Sequence, residues 1–411
     1  MLRAGVLHAT FESWGGAEWF IHQTSAGMPI ATHRWSDPPG GGARPAGILE
    51  HRCGAARSGP SDWARAGRLI APWSAGLDVL VAHNWPAIVW AEEAGRCRVS
   101  RPVVWYCHEP PAALYDEAAL QEAAPVRTAG ALLGDASFYG AGLPRHLLSS
   151  LRRRLSPVPR EVLRQRDAVA VRAAAIVLAN SRFTADRVRA LYGRDARVVY
   201  PVPADLTSFR PPGGAPPAKE PLVLWVGRMT AAKRPLLMLK AWERACAQAP
   251  GLASWRLVMV GDGPLFPAVT ERIRSGPGGA AVSLRRGVSR GELAALYRAA
   301  AVTVHLGVRE PFGLVALESA AAGTPVIAEA DGGTPEIVRD GETGWLLPNL
   351  DARALAERLA GLPAQADTLA RMGAAADRDA AARFRFQETT AALAAAIEEA
   401  HAPGASKSAS K

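Results

Sequence analysis

The chain reads as an α/β protein built from two doubly wound, Rossmann-like domains facing across a cleft. Three observations predict this. A chain of 411 residues exceeds what one hydrophobic core comfortably serves. Short β-branched runs alternate with longer Ala/Leu/Arg-rich helical stretches, the pattern of parallel βα units. The alternation breaks once, at "RPPGGAPPAKEP" (Arg210 to Pro221), where proline fixes φ and removes donors while glycine loosens the chain.

In order along the first half, the expected strands are "AGVLHA" (Ala4 to Ala9), "DVLVAHN" (Asp78 to Asn84), "PVVWYCH" (Pro102 to His108), "AAIVLANS" (Ala174 to Ser181) and "RVVYP" (Arg197 to Pro201). The second series is "PLVLWVG" (Pro221 to Gly227), "WRLVMVG" (Trp255 to Gly261), "VSLRRG", "VTVHLG" (Val302 to Gly307), "PVIAEA" and "GWLLP". The expected division is an N-terminal domain over 1–209, a linker over 210–220 and a C-terminal domain over 221–384. A last helix over 385–402, "ETTAALAAAIEEA", is expected to pack back on the first domain, followed by a disordered tail over 403–411. In this layout a ligand belongs at the carboxyl ends of the strands.

The composition, 49% hydrophobic and 21% charged, is that of an ordinary globular protein and excludes a disordered one. The four cysteines (Cys53, Cys97, Cys107, Cys246) include no CxxC pair, which suggests neither a zinc site nor a disulfide framework and fits a reducing cytoplasm. "MLRAGVLHAT" reads as a first strand and not as a signal peptide. No run is long and apolar enough for a membrane span. The formal charge of +10 implies an acidic partner: nucleic acid, an anionic membrane surface or a phosphorylated substrate.

The chemistry concentrates in "REPFGLVALESAAAGTPVIA" (Arg309 to Ala328). Pro311 and Gly313 turn the chain directly after a strand, and a helix is expected from near Phe312 to Gly323. Its free N–H groups and positive dipole end would face out of the strand tips, where an anion can be held. Glu310 falls just before that end. Glu318 lies about one and a half turns inside, up to roughly 12 Å along the helix. A nucleotide-sugar fits that scale, with sugar hydroxyls at Glu310, diphosphate at the helix tip and ribose at Glu318. The bland alternative makes Glu310 a turn cap and Glu318 a partly exposed helix residue.

"EPFGLVALESAAAGTPVIAEADGGTPEIVRDGETGWLLP" (Glu310 to Pro348) closely resembles the Glu-x7-Glu region of the retaining GT-B glycosyltransferases of family 4, and the resemblance spans nearly the whole chain. It implies the GT-B fold and a hexosyltransferase, with donor contacts at Glu310, Phe312, Gly313, Leu314, Val315 and Glu318. "VGRMTAAKRP" resembles the family's Gly-Arg-x4-Lys element and so implies Arg228 and Lys233 at the donor diphosphate. Two cations there would stabilise the charge on a departing nucleoside diphosphate. "WYCHEPPAALYD" is similar to the family loop whose histidine, here His108, faces the donor sugar, with Glu109 beside it; Ala112 replaces the usual arginine. "ESWGGAEWF" resembles the Gly-Gly loop, placing Gly15 and Gly16 near phosphate or sugar. "ANSRFTADRVRALYG" puts Asn180 and Ser181 at a strand end as cleft lining, with Thr184 as the expected helix cap.

The implied catalytic set is Glu310, His108, Arg228 and Lys233, with no metal and no cofactor beyond the nucleoside diphosphate sugar that serves as donor. "YCHEPP" with "EPFGLV" resembles the mannosyltransferases, which favours GDP-mannose; UDP-glucose or another UDP-sugar stays open. A glycan or lipid-linked acceptor is expected, in cell-surface polysaccharide or glycolipid synthesis. A sugar-nucleotide epimerase on the same plan, and a non-catalytic nucleic-acid-binding protein motivated by charge alone, are the rivals. No nucleic-acid motif supports the latter, so nucleic acid is not an expected partner.

Two features read as decoys. Asp377 and Asp379 in "DRD" sit in an Ala-rich helical stretch, wrong for a metal motif. "GDGPLF" (Gly261 to Phe266) is a turn and lacks the glycines of a dinucleotide fingerprint. From Pro144 to Arg166, seven arginines accompany Leu147, Leu148, Leu151 and Leu155 at helical spacing. This face suits either peripheral contact with anionic lipid at the inner membrane or a core-packed helix with a charged outer side.

Overall fold

The structure is a computed structural model that describes residues 2–8, 16–28, 31–36, 49–52, 60–97, 99–115, 159–211, 219–277 and 281–402. The chain forms two units, Met1–Val199 with Thr389–Lys411, and Tyr200–Glu388.

The first unit holds a parallel sheet ordered β3-β2-β1-β4-β5-β6-β7. Its strands are β1 (Arg3–Leu7), β2 (Ala31–Ser36), β3 (Leu49–Arg52), β4 (Val79–His83), β5 (Val103–Cys107), β6 (Ile176–Ala179) and β7 (Arg197–Val198). The register pairs Val6 with Val81 across β1 and β4, and Ala82 with Trp105 across β4 and β5. The central strands are buried on both faces, as parallel strands under crossover helices must be. The helices are α1 (Gly16–Gly27), α2 (Pro60–Ser74), α3 (Ala87–Arg96), α4 (Ala112–Tyr115), α5 (Arg160–Ala173) and α6 (Arg182–Tyr192). One face packs Trp63, Trp90 and Trp105 with Ile70 and Val171. The other packs Val6, Phe20, Ile21 and Tyr106 against Leu393 and Ile397 of the last helix. The sequence reading omitted β2 and β3. β3 is the edge strand and β2 lies between it and β1; "ATHRWS" and "LEHR" interrupt their apolar residues with charged and imidazole ones and so carry no unbroken apolar run.

The second unit's parallel sheet runs β10-β9-β8-β11-β12-β13. It comprises β8 (Glu220–Val226), β9 (Arg256–Val260), β10 (Val282–Arg285), β11 (Ala300–His305), β12 (Val326–Glu329) and β13 (Gly344–Leu347). The interleaved helices are α7 (Pro235–Gln248), α8 (Phe266–Ser275), α9 (Arg290–Ala299) and α10 (Leu314–Ala321). α11 (Ala352–Ala360), α12 (Ala366–Arg383) and α13 (Phe386–His401) follow. Every strand of this series coincides with one expected from the sequence, although β10, "VSLR", alternates instead of forming an apolar run.

The unit boundary differs from the expected 209/210. The chain enters the second unit at Tyr200 and leaves it at Glu388. The reason is packing: Val202, Leu206 and Phe209 are buried with Leu222, Leu224 and Tyr297, so the segment before the Pro-Gly run already belongs to the second core. Residues 212–218 of the expected linker, the tail from 403 and residues 144–158 of the basic stretch lie outside the described residues. α13 buries Leu393, Ala394, Ala396, Ile397 and Ala400 on the first sheet. No helix among the described residues is long and apolar enough to cross a membrane.

Strand order reverses once in each sheet. β1 lies between β2 and β4, and β8 between β9 and β11, so successive crossovers leave in opposite directions at β1/β4 and at β8/β11. The carboxyl ends of strands at such a reversal diverge and open a crevice, where open α/β sheets receive ligands.

Candidate active site

At the second reversal, β8 delivers the loop with Arg228 and Lys233, and β11 delivers the loop with Glu310. Backbone bonds hold both loops. Gly227 N donates to Val260 O at 3.0 Å, Met229 N to Asp262 O at 2.8 Å and Leu265 N to Met229 O at 2.8 Å. The "GDGPLF" turn is therefore a support for the Arg228 loop. Gly261 has φ of 150°, and a Cβ there would collide with the Gly227 carbonyl.

Lys233 ends a single 3-10 turn, Ala231–Lys233, and Arg234 follows at φ 48°. Arg234 Nη1 donates to Glu329 Oε2 at 2.8 Å, tying this turn to β12. Val308 N then donates to Ala232 O at 3.0 Å, stitching the β8 loop to the β11 loop. That link sets the Lys233 ammonium on the Glu310 carboxylate, which it meets directly. Gly333 N donates to Glu310 O at 2.7 Å. A side chain at Gly332 would collide with the Glu310 backbone, which explains the paired glycines of "GGTPE".

Burial works against charge on Glu310, but the Lys233 ammonium, with a smaller part from His305, outweighs it and holds the carboxyl below its usual range. Glu310 is a carboxylate at neutral pH. Arg228 is exposed on its loop.

α10 begins at Leu314, two residues later than expected, after Gly313 at φ 105° and without a side-chain cap. Its first N–H groups thus receive no side-chain cap. Phe312 is 3% exposed and packs between Tyr200, at a centroid distance of 5.5 Å, and Phe384 at 6.1 Å. Its ring is core, which leaves only its backbone for a donor. Leu314 and Val315 are half-buried in the first turn.

Glu318 is not the partly exposed helix residue of the bland alternative: it is buried at 6% exposure, and a protein donor meets each of its oxygens. Arg290 Nη1 donates to its Oε1 at 2.7 Å, and Tyr297 Oη donates to Oε2 at 3.1 Å. The same guanidinium donates to both Asp205 oxygens at 2.9 Å. Burial raises the Glu318 pKa against the pull of Arg290 and Tyr297.

At the first reversal the structure gathers residues from three strand ends. His108 follows β5 and is buried. Its N–H donates to Asn84 Oδ1 at 2.7 Å, as Glu109 N–H does at 3.2 Å. Asn180 Nδ2 donates to His108 O at 2.7 Å. His83 Nδ1 and His108 Nε2 are 3.1 Å apart, and His8 Nε2 lies 3.0 Å from Glu18 Oε1. Burial, then the charge of His8, pushes His108 down to about 3 against Glu18, so its ring is neutral at physiological pH.

Asn180 is therefore a brace for His108. Ser181 is wholly buried as the N-cap of α6, accepting from Thr184 N at 3.0 Å, so Ser181 and not Thr184 is the cap, and neither side chain lines an opening. Glu109 lies 4.0 Å from Arg187. Gly16 opens α1, while Gly15 falls outside the described residues, as does the side chain of Ala112.

His8, Glu18, His83, Asn84, His305, Asp205 and Arg290 were missed as site candidates. A histidine ending an apolar strand, as in "VAHN" and "VTVHLG", was the available signal. Among the described residues no cluster of three or more His, Cys, Asp or Glu could hold a metal ion. Asp379 is taken by Arg339 and by Arg383 at 2.6 Å, and Asp377 lies 3.4 Å from Arg210, so the two aspartates of the "DRD" stretch are engaged in ion pairs.

Two family models match the chain, "Glycosyltransferase Family 4" over residues 14–203 and "Glycosyl transferases group 1" over residues 210–379. A D-inositol 3-phosphate glycosyltransferase of Streptomyces bingchenggensis is 35% identical over 246 residues, 56% of this chain and 54% of that protein. The chain thus spans about half the length of the curated relatives it matches. The sucrose-phosphate synthase of Thermosynechococcus elongatus superposes with a TM-score of 0.71 at 19% identity, covering 97% of this chain and 99% of that one. Anabaena HepE, solved with UDP, gives 0.70 at 16% identity over 97% and 100% of the two chains. At these identities the structural likeness speaks for the fold.

Proposed function

Because the chain belongs to glycosyltransferase family 4 and has the GT-B fold, we propose that it moves a hexose from a nucleoside diphosphate sugar to a hydroxyl of an acceptor, with retention at the anomeric carbon. The observation that carries the reading is the pairing of Lys233 with Glu310 at the β8/β11 reversal, beside the uncapped start of α10. A cation, a carboxylate and oriented N–H groups meet there at one set of strand ends.

Each has a role in transfer. Glu310, charged at neutral pH, accepts hydrogen bonds from hexose hydroxyls and fixes the sugar. Lys233, Arg228 and the α10 N-terminus stabilise the diphosphate as the glycosidic C–O bond breaks. These cations supply the electrostatic help that a divalent ion gives in other transferases. The acceptor oxygen bonds to the anomeric carbon on the face the diphosphate leaves, and the departing phosphate oxygen takes the acceptor hydroxyl's proton, so no protein nucleophile is required. Neutral His108, held by Asn84, Asn180 and His83, offers a hydrogen-bonding edge for the sugar.

The "YCHEPP" and "EPFGLV" loops favour mannose from GDP-mannose, and UDP-sugars form the second reading. The acceptor is a glycan or lipid-linked glycan; the names of the relatives add a phosphorylated inositol as a candidate. Peripheral contact with anionic membrane through the basic stretch goes with the lipid-linked case.

The test is release of nucleoside diphosphate from GDP-mannose, UDP-glucose or UDP-GlcNAc, supplied with each acceptor class in turn. Turnover with one donor, retained α-configuration in the product and loss in Glu310→Gln are expected. Turnover that survives Glu310→Gln undoes the assignment.

A further inference from the structure

Glu310 has a second neighbour that the donor reading leaves unused. His305 ends β11 and is 4% exposed. Its Nε2 has no hydrogen-bond partner among the described residues, a costly condition for a buried ring nitrogen. That nitrogen stands 4.0 Å from Glu310 Oε2, beyond hydrogen-bond range, and a shift of about 1 Å would close it. Gly307 borders the gap. A Cβ there would come within 3.2 Å of both His305 Cε1 and Nε2 and would collide with the Glu310 carboxylate. The absence of a side chain at Gly307 is what keeps ring and carboxylate in view of each other.

In the structure the carboxylate is drawn to Lys233 instead. The donor reading, on which this inference rests, assigns the Lys233 ammonium to a diphosphate. An ammonium turned toward phosphate oxygens gives up part of its hold on Glu310, leaving a partly buried carboxylate that needs another donor.

We propose that His305 is the positioning residue of Glu310. When Lys233 engages the diphosphate, His305 Nε2–H donates to Glu310 Oε2 and holds the carboxylate so that its other oxygen accepts from the sugar. The imidazole suits this task because it stays neutral. Burial pushes its pKa down to about 4, against the pull of Glu310 and with that of Lys233. It therefore directs the carboxylate without placing a second cation where Lys233 must move.

The test is calorimetric titration of the full chain, as wild type, His305→Phe and His305→Gln, with GDP, UDP, GDP-mannose and UDP-glucose. His305→Phe should bind the nucleoside diphosphate as the wild type does and lose roughly ten- to a hundredfold in affinity for the sugar-bearing form. His305→Gln, whose amide N–H can donate, should recover most of that loss. A purely structural role would weaken both ligands alike. Parallel loss of both, or no loss of the sugar-bearing form with nucleotide binding intact, overturns the inference alone. A wild type that binds no nucleotide overturns the donor reading and this inference with it. If His305→Phe does not fold, 15N spectra of the wild-type imidazole decide: Nε2 should shift with the nucleotide sugar beyond its shift with the diphosphate, and equal shifts overturn the inference.

Discussion

Replacing Arg290 with alanine strands a carboxylate, and the consequence can be worked from the structure. Arg290 joins Glu318 at 2.7 Å and Asp205 at 2.9 Å, while its own side chain stays 38% exposed against 8% for Glu318. Removing one partner of a fully buried pair typically costs about 3–5 kcal/mol. Solvent screening of the exposed guanidinium reduces that here to about 2 kcal/mol. For a unit of this size, 2 kcal/mol corresponds to about 4–8 °C in the unfolding midpoint.

The loss should depend on pH in a definite direction. Glu318 already has a raised pKa in the folded state, with burial as the main cause. A carboxyl of this kind contributes stability below its unfolded pKa of about 4.3, and that contribution disappears as pH rises through the folded value. Without Arg290 the folded value climbs further. Arg290→Ala should therefore lose more stability at pH 8 than at pH 5, and adding Glu318→Gln should remove most of the pH dependence. Thermal unfolding of the wild type, Arg290→Ala and the Arg290→Ala/Glu318→Gln double variant at both pH values is the assay. A loss that is equal at the two pH values, or that persists unchanged beside Glu318→Gln, would refute the reasoning.

Three further outcomes are expected. Glu310→Gln should lower transfer by at least about a hundredfold while leaving the circular dichroism spectrum near wild type, as loss of an oriented polar contact in a preorganised site does; a wild-type rate would remove its role. Asp167 is buried against Tyr192, which donates to it at 2.7 Å, and burial raises its pKa to about 6 from 3.8. The protonated form favours folding, so this contribution is present below pH 4 and lost as pH rises to 6. Asp167→Asn should accordingly gain on the wild type by up to about 3 kcal/mol across that window in pH-dependent denaturant titrations. Leu393→Ala, which empties a core position shared with Val6 and Phe20, should cost about 2–5 kcal/mol in the same titrations, although it lies near the chain terminus.

The two sheets were legible because parallel strands buried on both faces read as unbroken apolar runs, as "VLVAH", "VVWYC" and "AAVTVH" do. β2 and β3 were not, since "ATHRWS" and "LEHR", at the outer end of the sheet, carry no such run. The Pro-Gly stretch hid the boundary at Tyr200, because the burial of Val202, Leu206 and Phe209 is decided by partners farther along the chain. Glu310 and Lys233 were each legible as motif residues. Their pairing was not, because it spans 77 positions and depends on the backbone bond from Val308 to Ala232. Glu318 shows the limit most clearly. Its helix reads correctly from "LVALESAAAG", but whether a carboxylate on it meets solvent or Arg290 is set by α9, whose register nothing in that stretch encodes. His83, His305 and Asn84 are single polar residues at strand ends, and their meaning comes only from what three or four strands bring beside them.

The claim that the β8/β11 reversal receives a nucleoside diphosphate is tested most directly by thermal unfolding of wild type and Lys233→Ala. The panel is GDP, UDP, GDP-mannose, UDP-glucose and UDP-GlcNAc, without added metal. A ligand at a hundred times its dissociation constant stabilises the folded state by about 2.7 kcal/mol, or roughly 5–11 °C here. The account predicts a rise of that order with nucleotides of one base, largely lost in Lys233→Ala. No rise with any nucleotide, or an equal rise in the variant, would contradict it.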